Sequence, residues 1–349
     1  MPTAPAVAVK KDLLGLSKAS LIAELDSLGE KPFRARQIFE WVYKRKVSDF
    51  AGMNNLGKAL RDRLDAGYTL STLAAYRVQR SKRDGTAKYL FQCADGQLVE
   101  SVFLPHEGRN TACLSTQVGC AMGCTFCATG ESGFARNLSP GEIVAQVQGM
   151  EADQGVEIHN LVLMGMGEPL HNWENVREAM SALLDPAGRQ WGPRHITLST
   201  CGIASGIDAL RESGLKLRLA ISLHAPEDGL RAGIMPINRR YPLKELMRSV
   251  RDYQAATQLQ VTFEYTLFKG LNDSPDQAHA VATLLKGVES KVNLIPYNSV
   301  QGLDFEAPDF ETVLAFQEVL KKRGLIAMVR TEKGGDIDAA CGQLRRREA

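Results

Sequence analysis

A chain of 349 residues, 44% of them apolar, is long enough to bury a large core and to carry a smaller appendage beside it. Its formal charge of +2 is nearly neutral, so any polyanionic partner would be met by local clusters rather than by the whole surface. Seven cysteines, an odd number, argue against a secreted disulfide framework; with no signal-like start and no apolar run of membrane-spanning length, a cytoplasmic location without membrane contact is expected.

Residues 1–20 open on Pro and Ala and are expected to form a mobile tail. Residues 21–75 read as a small helical unit, because Ile38, Trp41, Val42 and Arg45 fall at helical spacing after Pro32 and Leu56, Leu60 and Leu64 recur every four residues. Between Lys31 and Lys46 six basic residues stand against Glu40, which leaves Arg34, Arg36, Lys44, Arg45 and Lys46 to project outward, either toward phosphate or as a solvated face. A second run, Arg77 to Lys88, sets five basic residues against Asp84 and carries the same two readings.

From 76 to 108 the period shortens to two, with turn signals at Asp84-Gly85 and Asp95-Gly96, so a three-stranded meander is expected. Its third strand sets Glu100 among apolar neighbours, although alternation alone would let that carboxylate face solvent. Residues 109–330 then alternate strand and helix patterns. Candidate strands are Thr111 to Gln117, Asn160 to Met164, His195 to Thr200, Leu217 to Leu223, Gln260 to Leu267, Lys291 to Pro296 and Leu325 to Arg330. Candidate helices between them are Pro140 to Met150, Trp173 to Leu184, Ile207 to Glu212, Leu243 to Ala256, Pro275 to Leu285 and Phe310 to Lys322. Such alternation implies βα units around a parallel sheet, here an α/β partial barrel of six units rather than a closed barrel of eight. Residues 331–349 form a Gly-rich C-terminal tail that carries Cys341, and the freedom of its glycines would let that thiol swing into the barrel mouth.

The chain is organised around Cys120-Ala-Met-Gly-Cys124-Thr-Phe-Cys127, set between Gly119 and Gly130. Three thiolates so closely spaced can face one centre only on an irregular loop. A 4Fe-4S cube normally takes four cysteines; three would leave one iron open to a chelating ligand, which points to a catalytic cluster. The alternative is a zinc knot closed by His159 or Cys113, in a non-enzymatic, zinc-stapled nucleic-acid-binding protein. Cys93 and Cys201 read as buried structural thiols.

The cysteine loop with Phe126 before its last thiol resembles the radical S-adenosylmethionine (SAM) superfamily. Gly165-Met-Gly-Glu-Pro169 and the tail from Gly335 to Leu344 narrow the resemblance to the RlmN/Cfr family of RNA adenine methyltransferases, over roughly Lys31 to Leu344. That resemblance implies a (β/α)6 radical SAM barrel, a small N-terminal RNA-binding domain, and one 4Fe-4S cluster on Cys120, Cys124 and Cys127. It implies SAM contacts at Gly167, Glu168, Ser199, Ser222, Leu223, His224 and Asn298, with two SAM molecules used per turnover. It further implies Cys341 as methyl carrier, Cys113 as resolving thiol and Glu100 as the base that removes the adenine C2 proton. The expected substrates are 23S rRNA and tRNA, with an electron donor such as flavodoxin. Methylation at adenine C8, as in the Cfr branch, shares the same cysteines and stays open on local sequence. No repeating apolar pattern points to an obligate assembly, so a monomer is expected.

Overall fold

A computed structural model describes residues 10–71 and 73–345. The expected tail at 1–20 is corrected from Lys11 onward, while residues 1–9 lie outside the described residues. β1 (Lys11–Asp12) pairs in parallel with β2 (Tyr68–Thr69). Leu13 and Leu14 are buried, and α1 (Lys18–Ser27) is capped by Ser17, whose hydroxyl accepts from Ser20 N–H at 3.2 Å. The apolar Leu13-Leu14 pair and the serine cap therefore attach this segment to the helical unit.

α2 (Phe33–Phe39) runs on into a π-helical turn at Glu40–Lys44. Trp41, Val42 and Tyr43 are all buried in that wider turn. α3 (Lys58–Gly67) buries Leu60 and Leu64. Of the basic residues expected to project outward, Arg34 and Arg36 pair with Glu30 and Glu40, and Lys46 reaches Glu151 at 3.1 Å. Lys44 and Arg45 are exposed with no carboxylate at ion-pair distance among the described residues, and Arg45 lies over the Trp41 ring at 4.2 Å.

The meander forms as expected: β3 (Ala74–Arg80), β4 (Ala87–Gln92) and β5 (Leu98–Leu104) are antiparallel, with Gly85 and Gly96 at positive φ in their turns. It is not a separate layer. β5 pairs antiparallel with β6 (Thr111–Cys113), so meander and barrel share one ten-stranded sheet. The strand expected over Thr111 to Gln117 breaks after Cys113, where the Gln146 side chain takes the place of a neighbouring strand by bonding both Ser115 N–H and Ser115 C=O. The chain then re-enters as β7 (Gln117–Gly119), the short α4 (Ala128–Glu131) and β8 (Phe134–Asn137), with β7 and β8 forming a hairpin around the cysteine loop.

The remaining units follow in order: α5 (Pro140–Gln154), β9 (Asn160–Leu163), α6 (Trp173–Leu184), β10 (Ile196–Thr200), α7 (Ala204–Glu212) and β11 (Arg218–Ser222). After the unanticipated α8 (Asp228–Ile234) come α9 (Leu243–Thr257), β12 (Val261–Leu267), α10 (Pro275–Leu284), β13 (Ser290–Pro296), α11 (Phe310–Lys322) and β14 (Ile326–Val329). Ser139 with Glu142, and Ser274 with Gln277, form capping boxes that start α5 and α10 behind a proline. β6 and β9 to β14 are parallel neighbours in chain order, with β14 and β3 at the two edges, which is an open barrel. Leu161, Leu198, Ile221, Phe263 and Val292, one on each of β9 to β13, are fully buried in its core; each such side chain contributes roughly 1.5–3 kcal/mol.

Candidate active site

The cysteine loop leaves β7 through Gly119, where φ is +79° and a Cβ would run into the Gly133 carbonyl. Only glycine fits, because Cys120 N–H donates to that carbonyl at 2.9 Å. Gly130 lies against the Cys124 backbone with room for no side chain. The loop is tied down by Thr125 N–H to Ile234 C=O (3.0 Å) and by Ala128 N–H to Gly342 C=O (2.9 Å). Cys120, Cys124 and Cys127 line one wall of a cavity of about 170 Å³ at the C-terminal ends of the strands. Among the described residues no three His, Cys, Asp or Glu side chains are already drawn into a metal-holding group. The donor set nevertheless suits an iron-sulfur cluster. Burial pushes the Cys120 thiol up to about 12 and raises Cys124 further, with Cys127 and Cys120 opposing its ionisation, so thiolates here call for a cationic centre to neutralise them.

The opposite wall comes from the strand ends. Gly167 has φ +97°, and a Cβ there would lie 2.5 Å from Gln117 Cβ. Glu168 is buried, with Oε1 accepting from Leu170 N–H (3.0 Å) and Oε2 from Cys201 N–H (2.7 Å). Burial raises its pKa while those amides oppose the rise, and a bound ammonium would favour the anion further. Ser199, Ser222, His224 and Asn298 line the same cavity. Burial holds His224 down at about 3, with Arg231 adding to the effect, so the ring is neutral. Its Nδ1 faces Thr266 N–H at 2.9 Å and must accept, which places the ring proton on Nε2. Leu223 does not line the cavity: its side chain is buried in the core, while its backbone donates to Glu264 C=O and accepts from Arg231. Cys201 is buried as expected but also lines the cavity and holds Glu168 through its amide. Cys93 is buried in the meander.

A second cavity of about 90 Å³ adjoins the first and contains Cys113, Arg330 and Cys341. Cys341 lines both. It counts as exposed because it faces these joined spaces, yet protein surrounds it closely enough that burial raises its thiol. Burial raises Cys113 as well, with Cys341 opposing its ionisation. Both thiols are free. The tail is not slack. Asn298 Nδ2 donates to Cys341 C=O (3.2 Å), Gln343 Nε2 to Ser299 C=O (3.0 Å) and Thr129 Oγ1 to Leu344 C=O (2.7 Å). These bonds seat the tail with Cys341 at the barrel mouth, and its glycines shape the turns.

Glu100 is buried rather than solvent-facing, in a third cavity of about 360 Å³ next to the tail. Lys88 Nζ stands 3.2 Å from its Oε1, and Arg345 N–H donates to Oε2 at 2.7 Å. His159 precedes β9, at the opposite end of that strand from the cysteine cavity, and Cys113 lies in the adjoining cavity, so neither completes a zinc knot with the three loop thiols.

Two site residues escape the sequence reading. Arg231 is fully buried on α8 and donates to the carbonyls of Leu223, Ser222 and Cys201 and to Asn238 Oδ1, which ties the ends of β10 and β11 together. No pattern marks it. Glu264 lies in the middle of β12, lines both thiol cavities and accepts from Asn293 Nδ2 at 2.8 Å. A carboxylate inside a strand that is buried along its whole length was a readable signal.

Residues 114–280 match the family model of the radical SAM superfamily, and residues 11–69 match that of the ribosomal RNA large subunit methyltransferase N-terminal domain. A crystal structure of a radical SAM methyltransferase from Sphaerobacter thermophilus is 43% identical and superimposes with a TM-score of 0.90, covering 97% of this chain and 100% of that one. The fold and the cysteine cavity thus define a radical SAM enzyme, a class that uses a 4Fe-4S cluster and SAM. A probable dual-specificity RNA methyltransferase RlmN from Thermotoga neapolitana is 47% identical over 336 residues, covering 96% of this chain and 97% of the relative. A dual-specificity RNA methyltransferase RlmN from Anaeromyxobacter dehalogenans is 47% identical, covering 95% and 91%. The chain belongs to the RlmN family and is an RNA-methylating enzyme, which overturns the zinc-stapled, non-enzymatic alternative.

Proposed function

We propose that this enzyme methylates C2 of adenine in 23S rRNA and tRNA, with Cys341 carrying the methyl carbon. The single observation that supports this most is that Cys341 lines both the cavity of the cluster cysteines and the cavity of Cys113. C2 rather than C8 follows the name of the relatives. Cys120, Cys124 and Cys127 would hold the cluster, and Gly167, Glu168, Ser199, Ser222, His224 and Asn298 would hold SAM, while Leu223, outside the cavity with its backbone engaged by Glu264 and Arg231, would only brace the strand end. When bound, these groups supply a methyl donor and a reductively triggered radical source, for a total of two SAM molecules per turnover. Position 2 of adenine is an sp2 carbon with no lone pair to attack a methyl group, so a carrier thiol gives the carbon a separate route.

Once the carbon carried by Cys341 has bonded to C2, Glu100 accepts the proton that leaves C2, and the odd electron of the adduct would pass back to the cluster that the three loop cysteines would hold. Cys113, as the thiolate, then attacks the Cys341 sulfur: a sulfur-sulfur bond forms, the sulfur-carbon bond to RNA breaks, and its electron pair stays on the methylene carbon, which takes up a proton to become the methyl group of the released base. The Cys113–Cys341 disulfide is reduced before the next cycle. Such an enzyme draws electrons from a donor such as flavodoxin, acts as a monomer and works in the reducing cytoplasm. No helix among the described residues is long and apolar enough to cross a membrane. Mass-spectrometric nucleoside analysis of RNA treated with the anaerobically reconstituted enzyme tests the reading: 2-methyladenosine is expected with the wild type and none with Cys341→Ala. Formation of 8-methyladenosine, or methylation by Cys341→Ala, would overturn it.

A further inference from the structure

Lys88 belongs by sequence to a basic run that suggested phosphate contact, yet it is buried and turned inward. Pairing of β4 with β5 sets Leu90 opposite Glu100 and Lys88 opposite Val102, so Lys88 and Glu100 are diagonal neighbours on one face. Their charged ends meet at 3.2 Å, with side chains only 9% and 10% exposed. The same ammonium donates to Asp338 C=O at 3.3 Å. The other oxygen of Glu100 accepts Arg345 N–H at 2.7 Å. Both oxygens are therefore tied to the segment that carries Cys341, one through Lys88 and one directly. The β3–β4 turn also grips the start of that segment. Gly334 N–H donates to Asp84 Oδ2 (3.0 Å), and Asp336 Oδ2 accepts Lys82 N–H (3.2 Å).

We propose that Lys88 is a positioning residue that couples the Glu100 carboxylate to the seating of the Cys341 tail, so that proton acceptor and methyl carrier are presented together. The proposal rests on the role of Glu100 given above. The charged groups around Glu100 are Lys88 on β4, Arg77 on β3, and Asp338 and Arg345 on the tail. Burial raises its carboxyl, Lys88 and the Arg345 amide pull it back, and Asp338 pushes it up. Without Lys88 the buried acid would keep its proton to higher pH. A protonated Glu100 could neither accept the C2 proton nor hold the tail amide as well as the carboxylate does.

The test uses the full-length holoenzyme and two readouts. Hydrogen exchange over residues 335–345 reads tail seating, and the pH profile of RNA methylation reads the base. In Lys88→Met, exchange of the tail should rise and the acid limb should move to higher pH, with Lys88→Arg restoring both. Glu100→Gln should loosen the tail similarly while abolishing methylation. Unchanged tail exchange in Lys88→Met, or a rate loss equal at all pH values and not restored by arginine, would overturn the coupling. If instead Glu100→Gln still methylates, the base assignment fails, while the exchange data still judge the link between Lys88 and the tail. If Lys88→Met does not fold, Glu100→Gln decides by exchange alone, because an unmoved tail there contradicts the coupling.

Discussion

The cluster loop gathers three thiols within one stretch, Cys120 to Cys127, whereas the second thiol site draws Cys113 from the first barrel strand and Cys341 from the tail. Local backbone geometry governs the first: positive φ at Gly119 and the close pack of Gly130 on Cys124 fix the loop. Topology governs the second. Cys113 sits where the meander joins the parallel sheet, and Cys341 arrives only because the tail is bonded to Asn298, Ser299 and the cluster loop. Chemistry written locally needs one turn to be right, while chemistry assembled across the fold needs every intervening packing decision to be right.

The sharpest way to break the local half is Cys124→Ala. With two thiolates left, iron content and formation of 5′-deoxyadenosine from SAM should fall to background while the circular dichroism spectrum stays native; retained SAM cleavage would sink the cluster assignment. Gly119→Ala attacks the same loop through the backbone and should cost about 1–3 kcal/mol in urea unfolding, with iron lost in proportion. Arg231→Leu tests the assembled half, since three carbonyls and an amide lose their donor. A loss of roughly 3 kcal/mol or more is expected, and an unchanged melting temperature would show that the strand ends hold without it.

His224 gives an effect that is spread over pH and has a definite sign. Its folded pKa of about 3 lies below the ordinary value of 6.5, so its burial contributes full stability above about pH 6.5 and loses it as pH falls toward 3. Stability should decline by at most about 1.4 kcal/mol per pH unit in that window from this group, and His224→Asn should flatten the decline. The smallest expected effect lies in the N-terminal helical unit. Charge reversal at Lys44 and Arg45, two exposed cations with no carboxylate at ion-pair distance among the described residues, should weaken RNA binding and lower the salt slope by about one per contact. SAM cleavage without RNA should be untouched; unchanged RNA affinity would make the helical unit a scaffold.

Most of the barrel was legible because strand and helix periods alternate cleanly: Trp173–Leu184 and Phe310–Lys322 form with the bounds that their periodicity suggests. The cysteine loop was legible as chemistry. What stayed hidden depends on side chains acting as backbone substitutes or on distant partners. Gln146 breaks the first barrel strand, a π-turn buries three consecutive residues at 41–43, and Arg231 takes its place from carbonyls on two strands. Glycines in the tail suggested freedom, yet Gly334 packs on Thr86 and Gly342 accepts from Ala128, contacts no local pattern announces.

The measurement that bears most directly on the carrier-and-resolver account is denaturing electrophoresis of the Cys113→Ala enzyme after anaerobic reaction with labelled RNA. With Cys341 loaded and no thiol left to cut its sulfur-carbon bond, an RNA-protein adduct should accumulate. It should disappear on nuclease treatment and be absent from the Cys113→Ala, Cys341→Ala double variant. Normal turnover by Cys113→Ala with no adduct would make Cys113 only a buried strand residue and would contradict the account.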